Sequence, residues 1–343
     1  MLVSRNHEPP RHFLPIALLA SLAISLLAQE LPKPTVQERA EVLLNRARRL
    51  SDIRANDAPA FHLRATFSFT GDNLDPVEGT YTETWVSDTQ WRRETVIGNL
   101  RQIDVAGPGK HWLLYPEGFP EQAGALPGLM AYLPSASLKP EFAFIRERTG
   151  TDVSAECAYS RPVIQTLQFV FCFEKRTGAL LERVYPEKRP RNVVLASCDY
   201  GTFRKFGDYA FPREVICYED RHKKIAANVV ELSLEPPMDP AFFDPAAGAI
   251  ELGLCSGKSE HPSLSINEFM LPGVDPEHIA WLRIWFVVDA KGKAQDVRVL
   301  RSADKDSNAK TLATVRSWHF NPGTCDSKPM PMPMTLEIPS TPR

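Results

Sequence analysis

Several things are missing from this chain, and each absence narrows what it can do. There is no Gly-x-Ser-x-Gly elbow, no His-Glu-x-x-His, no phosphate loop and no dinucleotide fingerprint. Gly107-Pro108-Gly109-Lys110 lacks the spacing and the following Ser or Thr that a phosphate loop needs, and reads as a turn. Asp304-Lys305-Asp306-Ser307-Asn308 starts like a calcium loop. Ala309 stands where the glycine belongs, however, and Val315 where the bidentate glutamate belongs, so helix capping is the better account. No Cys-x-x-Cys occurs and the eight histidines are scattered, which removes the usual zinc and redox arrangements. Charge of either sign is not in excess. The formal net charge of -2 gives no basis for nucleic acid or an anionic membrane as the main partner. The expectation is a protein that is not an enzyme and uses no cofactor or metal.

Long apolar runs are also missing. Phe13 to Leu27 is broken only by Pro15 and two serines, but falls short of the roughly 20 residues a membrane helix needs. With Arg5 and Arg11 ahead of it and Ala28 behind, residues 1–28 read as a secretory signal peptide, and the mature chain as periplasmic or secreted. Leu26 is a poor residue at the third position before that cut, so an uncleaved membrane anchor is the alternative. All six cysteines lie beyond the run, at Cys157, Cys172, Cys198, Cys217, Cys255 and Cys325. An even number in an exported chain favours disulfides, and of about 15 possible pairings the spacings suggest one. Cys157 with Cys172 and Cys198 with Cys217 each join neighbouring strands, and Cys255 with Cys325 staples the C-terminal part.

What is present is mostly strand. Thr35-Val36-Gln37-Glu38 is a capping box opening a helix to about Ile53, apolar along Ala40, Leu43, Leu44 and Ala47 and basic on its other side. From Ala60 the period changes to two: Phe61, Leu63, Ala65, Phe67 and Phe69 alternate with polar residues, and extended runs recur at 79–86, 90–97, 100–106 and 111–115. Between Glu117 and Arg148 the alternation stops, and short helical pieces are expected around 126–133 and 141–148, divided by Pro127, Pro134 and Pro140. Extended runs then resume from Leu167 to Leu234. A Pro-rich stretch ends this part near Pro245, and a linker over residues 246–276 follows.

Near the C-terminus, Trp281 to Val288 is a buried strand, Asp289-Ala290-Lys291-Gly292 a hairpin turn, and Val297 to Arg301 its return. A helix follows through Ala309, Leu312, Ala313 and Arg316, capped by Asp306 or Ser307, and Trp318, Phe320 and Pro322 lead into another extended segment. Phe286 to Ser302 and Trp318 to Pro322 resemble the patterns of the TonB C-terminal domain, the module of the bacterial energy transducer. The resemblance implies a small β-β-α-β domain over residues 277–340, an envelope location and contacts with other proteins. The long proline-rich arm of that transducer is not present, which argues against energy transduction itself. In Lys328 to Met334 the prolines 329, 331 and 333 remove donors from one edge of any strand formed there, which gives an edge blunted against a partner strand; the alternative is a polyproline-like approach to a strand at Met334 to Ile338.

A second resemblance covers residues 35–245. Gly207, Phe211, Pro212, Phe243 and Pro245 stand where the lipoprotein carriers that include LolA, LppX and MucB have the closing strands of a half-barrel. It implies an α+β fold: a large curved antiparallel sheet with helices on its concave side, ahead of the TonB-like domain. It also implies an apolar inner face able to take acyl chains. Candidates for that lining are Phe67, Phe69, Trp85, Trp91, Trp112, Phe169, Phe171 and Phe173, which ordinary core packing explains equally well in kind. The expected function is an exported, non-catalytic envelope protein that binds a lipid, a lipoprotein or another apolar ligand, with an envelope protein as partner of the C-terminal module. The alternatives are a scaffold with a fully packed sheet and no ligand, and a TonB-type partner of outer-membrane receptors.

Overall fold

The computed structural model describes residues 33–70, 75–107, 109–134, 138–150, 153–164, 167–188, 193–234, 239–255, 258–264, 282–302 and 308–338. The expected signal peptide, the helix caps at Asp306 and Ser307, Trp281 and the far part of the expected linker lie outside these residues. Among the described residues no helix is long and apolar enough to cross a membrane.

The first helix, α1 (Val36–Ser51), starts as its sequence dictates. The Thr35 hydroxyl accepts from the Glu38 amide and the Glu38 carboxylate accepts from the Thr35 amide at 2.7 Å, so two of the free amides at the helix start are satisfied. It buries Ala40, Leu44, Ala47 and Ser51. Five strands follow: β1 (Phe61–Thr70), β2 (Pro76–Ser87), β3 (Gln90–Ile97), β4 (Leu100–Gly107) and β5 (Lys110–Leu114). A crossing segment contains a 3-10 turn at Glu121–Ala125 and the short helix α2 (Leu126–Met130). Beyond it run β6 (Phe142–Thr149), β7 (Ser154–Ser160), β8 (Val170–Glu174), β9 (Leu180–Lys188), β10 (Val193–Phe206), β11 (Tyr209–Glu219) and β12 (His222–Leu234). A 3-10 turn at Pro240–Phe243 and β13 (Ile250–Leu252) complete the larger unit.

These strands make one open antiparallel sheet of 13, in the order β13-β5-β4-β3-β2-β1-β12-β11-β10-β9-β8-β7-β6. β1 therefore lies in the middle, paired with β2 on one side and β12 on the other, while β13 and β6 are the edges. The segment from Tyr115 to Glu141 carries the chain from one edge region to the other. Where short helices were expected over 141–148, the structure has edge strand β6 instead. Pairing of Ile145 with Ala158 and Arg146 with Cys157 on β7 overrides the local helical spacing, and the strand's charged end stays exposed.

One face of the sheet, here the inner face, carries α1 and the crossing segment, and it holds the main core, including Phe61, Leu63, Phe67, Tyr81, Phe171, Tyr200 and Phe211. The outer face has two smaller clusters. One joins Ile103 and Val105 to Phe243 of the second 3-10 turn, and the other surrounds the Cys157–Cys172 disulfide.

The C-terminal part begins with the short pairings β14 (Ser259–Glu260) and β15 (Ser263–Leu264). It continues with β16 (Leu282–Val288), β17 (Ala294–Ser302), α3 (Asn308–Ser317), β18 (Phe320–Asn321), β19 (Gly323–Cys325), β20 (Lys328–Met330) and β21 (Met332–Ile338). Its main sheet runs β17-β16-β21, with α3 packed on β17. The hairpin turn is set by Asp289, whose carboxylate accepts from the amides of Lys291 and Lys293, and by Gly292 at φ +79°. A Cβ on Gly292 would lie 2.1 Å from the Phe320 carbonyl oxygen, so only glycine fits. The Lys328–Met334 segment does not form a single strand. It changes sheets at Pro331: Lys328–Met330 pairs with β19, and the chain from Met332 pairs with β16.

The described part of residues 246–276 is built into both units rather than linking them loosely. β13 closes the large sheet on β5, while β14 and β15 pair with β19 and β18. The three disulfides join Cys157 to Cys172, Cys198 to Cys217 and Cys255 to Cys325, the pairing that the spacings suggest.

Candidate functional site

The inner face is the place where the fold gathers unusual chemistry. Alternation along β1 points Phe61, Leu63, Ala65, Phe67 and Phe69 inward, and the register sets Phe61 against Trp85, Leu63 against Glu83 and Ala65 against Tyr81. Of the candidate lining residues, Phe67, Phe69, Trp85, Trp91, Phe171 and Phe173 are buried together in the inner core, with Phe169 half-buried against them. Trp112 is not among them. It pairs with Val105 and packs with Phe243 on the outer face, because the inward positions of β5 are His111 and Leu113. The gathered rings touch the chain's own groups: Phe61 stacks on Trp85 at 5.7 Å and Phe206 meets Phe61 edge-on at 6.3 Å.

Beside these rings lies a buried ion cluster. Glu83, fully buried, accepts at Oε1 from Arg54 Nε (3.0 Å) and Arg93 Nε (3.1 Å), and at Oε2 from Tyr81 (3.1 Å) and Arg54 Nη2. Burial pushes this carboxyl up, but the attraction and hydrogen bonds of Arg54 and Arg93 outweigh it and bring the carboxyl from 4.5 down to about 2. Burial raises the Tyr81 phenol well above its usual range, and the neighbouring Glu83 charge adds to the effect. Arg93 also lies over Trp91 at 4.1 Å. Next to it, His111 meets the Trp91 ring edge at 5.3 Å and hydrogen-bonds Asp104.

The cluster fastens the cover to the sheet. Arg54 leaves the end of α1, binds Glu83 on β2 and donates from Nη1 to the carbonyl of Met130 at the end of α2 (2.9 Å). Tyr132, two residues on, donates to the Leu180 carbonyl at 2.8 Å and sets its ring against Tyr200 at 4.7 Å. Both carboxylate oxygens of Glu83 are engaged within the protein, by Arg54, Arg93 and Tyr81. The arrangement holds shape and offers no activated nucleophile, and among the described residues no group of three metal-binding side chains occurs.

The C-terminal unit bears on the same cover. Trp285 stacks on Tyr115 at 5.2 Å, Arg283 pairs with Glu121, and Trp285 and Val287 belong to the inner core of the larger sheet. Gly253 donates to Pro331 at 2.8 Å, two residues from the Cys255–Cys325 disulfide.

Sequence reasoning missed Glu83, Arg54 and Arg93. The signal was available: carrying the period of two through Tyr81, Glu83 and Trp85 puts a carboxylate at an inward position, which demands cationic partners.

No family model matches the chain, and no curated protein matches it. Solved structures do resemble it in shape. A LolA superfamily protein from Nitrosomonas europaea covers 60% of this chain and 97% of its own, at 9% identity and a TM-score of 0.40. A putative outer membrane lipoprotein-sorting protein domain from Vibrio parahaemolyticus covers 61% and 97%, at 10% identity and 0.41. A DUF1329 family protein from Desulfovibrio piger covers 60% and 96%, at 12% identity and 0.40.

Proposed function

We propose that this chain is an exported, non-catalytic envelope protein that holds a lipid, the acyl part of a lipoprotein or a similar apolar ligand on the inner face of its sheet. The observation that carries this reading is how that face is covered. An open sheet of 13 strands, rich in inward rings, is covered by α1 and a crossing segment with one five-residue helix, with Trp285 and Val287 of β16 adding to the same core. Polar ties hold that cover to the sheet, among them Arg54 to Glu83 and Tyr132 to Leu180. Lifting it would expose apolar surface that an acyl chain covers at about 0.8 kcal/mol per methylene. Three disulfides support an oxidising compartment, as expected outside the cytoplasm. In the same reading, the TonB-like C-terminal unit is a contact module for an envelope protein.

A specific observation favours a second reading, a scaffold with no ligand. Phe171 and Phe173 are fully buried, and Trp85 and Phe67 are nearly so, each filled in by the protein's own side chains. Native mass spectrometry of the protein purified from an envelope extract separates the two. A co-purifying lipid of defined mass supports the carrier. A bare polypeptide mass, together with no uptake of a fluorescent fatty acid, overturns it in favour of the scaffold.

A further inference from the structure

The inner face also holds polar groups that the fold leaves unused. Tyr200 on β10 is 4% exposed and its hydroxyl has no hydrogen-bond partner. Arg183 on β9 lies across from Cys198 on one side and Phe171 on the other, both inner-core residues, so its side chain belongs to the inner face. It is half-buried, its Nε is shut off from solvent without a partner, and among the described residues it has no carboxylate in ion-pair range. Its guanidinium lies over an aromatic face, 5.1 Å from the centre of the Tyr185 ring. Its charge acts on Tyr200, opposing the burial that raises that phenol to about 12. A buried donor left unpaired is destabilising, whereas Arg54 and Arg93, which also reach this face, are both held by Glu83. A guanidinium Nε and a phenol hydroxyl that both lack an acceptor, on neighbouring strands of one face and near Phe171 and Tyr185, are complementary to an anion with an apolar tail.

We infer that Arg183 and Tyr200 form the head-group site for a single-chain acyl carboxylate, whose tail lies along the rings of the inner face under the segment that carries Tyr132. The carboxylate supplies the acceptors that both donors lack, and Tyr132, seated edge-on against Tyr200, is the group that must move aside. This assignment rests on the carrier reading above and goes further in naming the ligand's charge and the residues that read it.

The test is titration of the full-length oxidised protein with a C16 fatty acid and with its methyl ester, each competing against a fluorescent fatty acid, repeated on Arg183→Met and Tyr200→Phe. Loss of a charge-assisted hydrogen bond predicts that the acid binds the wild type about tenfold or more better than the ester. Arg183→Met should abolish that preference while leaving ester binding unchanged, and Tyr200→Phe, which keeps the ring, should reduce it. Equal affinity of acid and ester for the wild type, or a preference that survives both substitutions, overturns the head-group assignment and leaves the carrier reading standing. Failure of both probes to bind overturns the carrier reading and the assignment with it. If Arg183→Met does not fold, Tyr200→Phe decides alone, since it removes one oxygen from a packed ring.

Discussion

Replacing Glu83 with glutamine removes one charge from the middle of the inner face and leaves Arg54 and Arg93 facing a neutral amide. Two lines of reasoning give the same size of effect. Breaking a buried pair by neutralising one partner costs roughly 3–5 kcal/mol, since the remaining charge is desolvated without compensation. Independently, a carboxyl lowered from 4.5 to about 2 by folding contributes about 3 kcal/mol at neutral pH, at roughly 1.36 kcal/mol for each tenfold change in proton affinity. Because the folded value is the depressed one, this stability is fully present above 4.5 and disappears as the pH falls toward 2. Urea unfolding of wild type and Glu83→Gln with disulfides intact, followed by tryptophan fluorescence and far-UV circular dichroism, should show a gap of about 3 kcal/mol at pH 7, narrowing to about 1 kcal/mol at pH 3. A gap below about 1 kcal/mol at pH 7, or one that does not change with pH, would refute the reasoning.

Other parts of the fold make their own predictions. Thr35→Ala removes the capping box of α1 and should cost about 1 kcal/mol in the same unfolding assay, with no change in denaturant slope. Gly292→Ala forces a Cβ toward the Phe320 carbonyl at a positive φ, and should destabilise the C-terminal unit by at least roughly 1–3 kcal/mol. Hydrogen exchange resolved by segment would show the loss concentrated in β16 and β17, and uniform exchange would contradict it. Trp285→Ala removes the stack on Tyr115 and should cost roughly 3–5 kcal/mol or free the C-terminal unit, seen as faster exchange over residues 115–125. Replacing Cys255 and Cys325 together by serine opens a crosslink with a sequence separation of 70. A loss of about 4 kcal/mol is expected from loop entropy, read as a fall in midpoint under non-reducing conditions.

Much of this architecture could be read from the residues, and the reasons are local. The capping box at Thr35 and Glu38 is complete within four residues, and β1 alternates strictly enough to show its inward side. Cysteine spacing suggested the crosslinks because two of the pairs sit directly opposite each other on adjoining strands, Cys157 with Cys172 and Cys198 with Cys217. What escaped depends on partners far away in the chain. Phe142–Thr149 carries spacing compatible with a helix and becomes a strand only because β7 pairs with it. Trp112 carries no mark of its side, which is fixed by His111 and Leu113 taking the inward positions. Residues 250–264 are too brief and polar to announce three separate strands, each of which exists because another element offers it an edge. Arg183 and Tyr200 were invisible for the same reason: nothing in a single strand reveals that its neighbours lack an acceptor.

The seam between β1 and β12 has a consequence for how the molecule is made. It brings together side chains such as Arg64 and Glu231, 167 residues apart, and it alone unites the arm β2 to β5 with the arm β11 to β6. An emerging chain therefore has two unfinished flaps until its last long strand is available, each presenting an unpaired border to neighbouring molecules. Delivery across a membrane in an extended form would postpone that exposure until β12 has also arrived, so that synthesis and sheet closure are separated in place as well as in time.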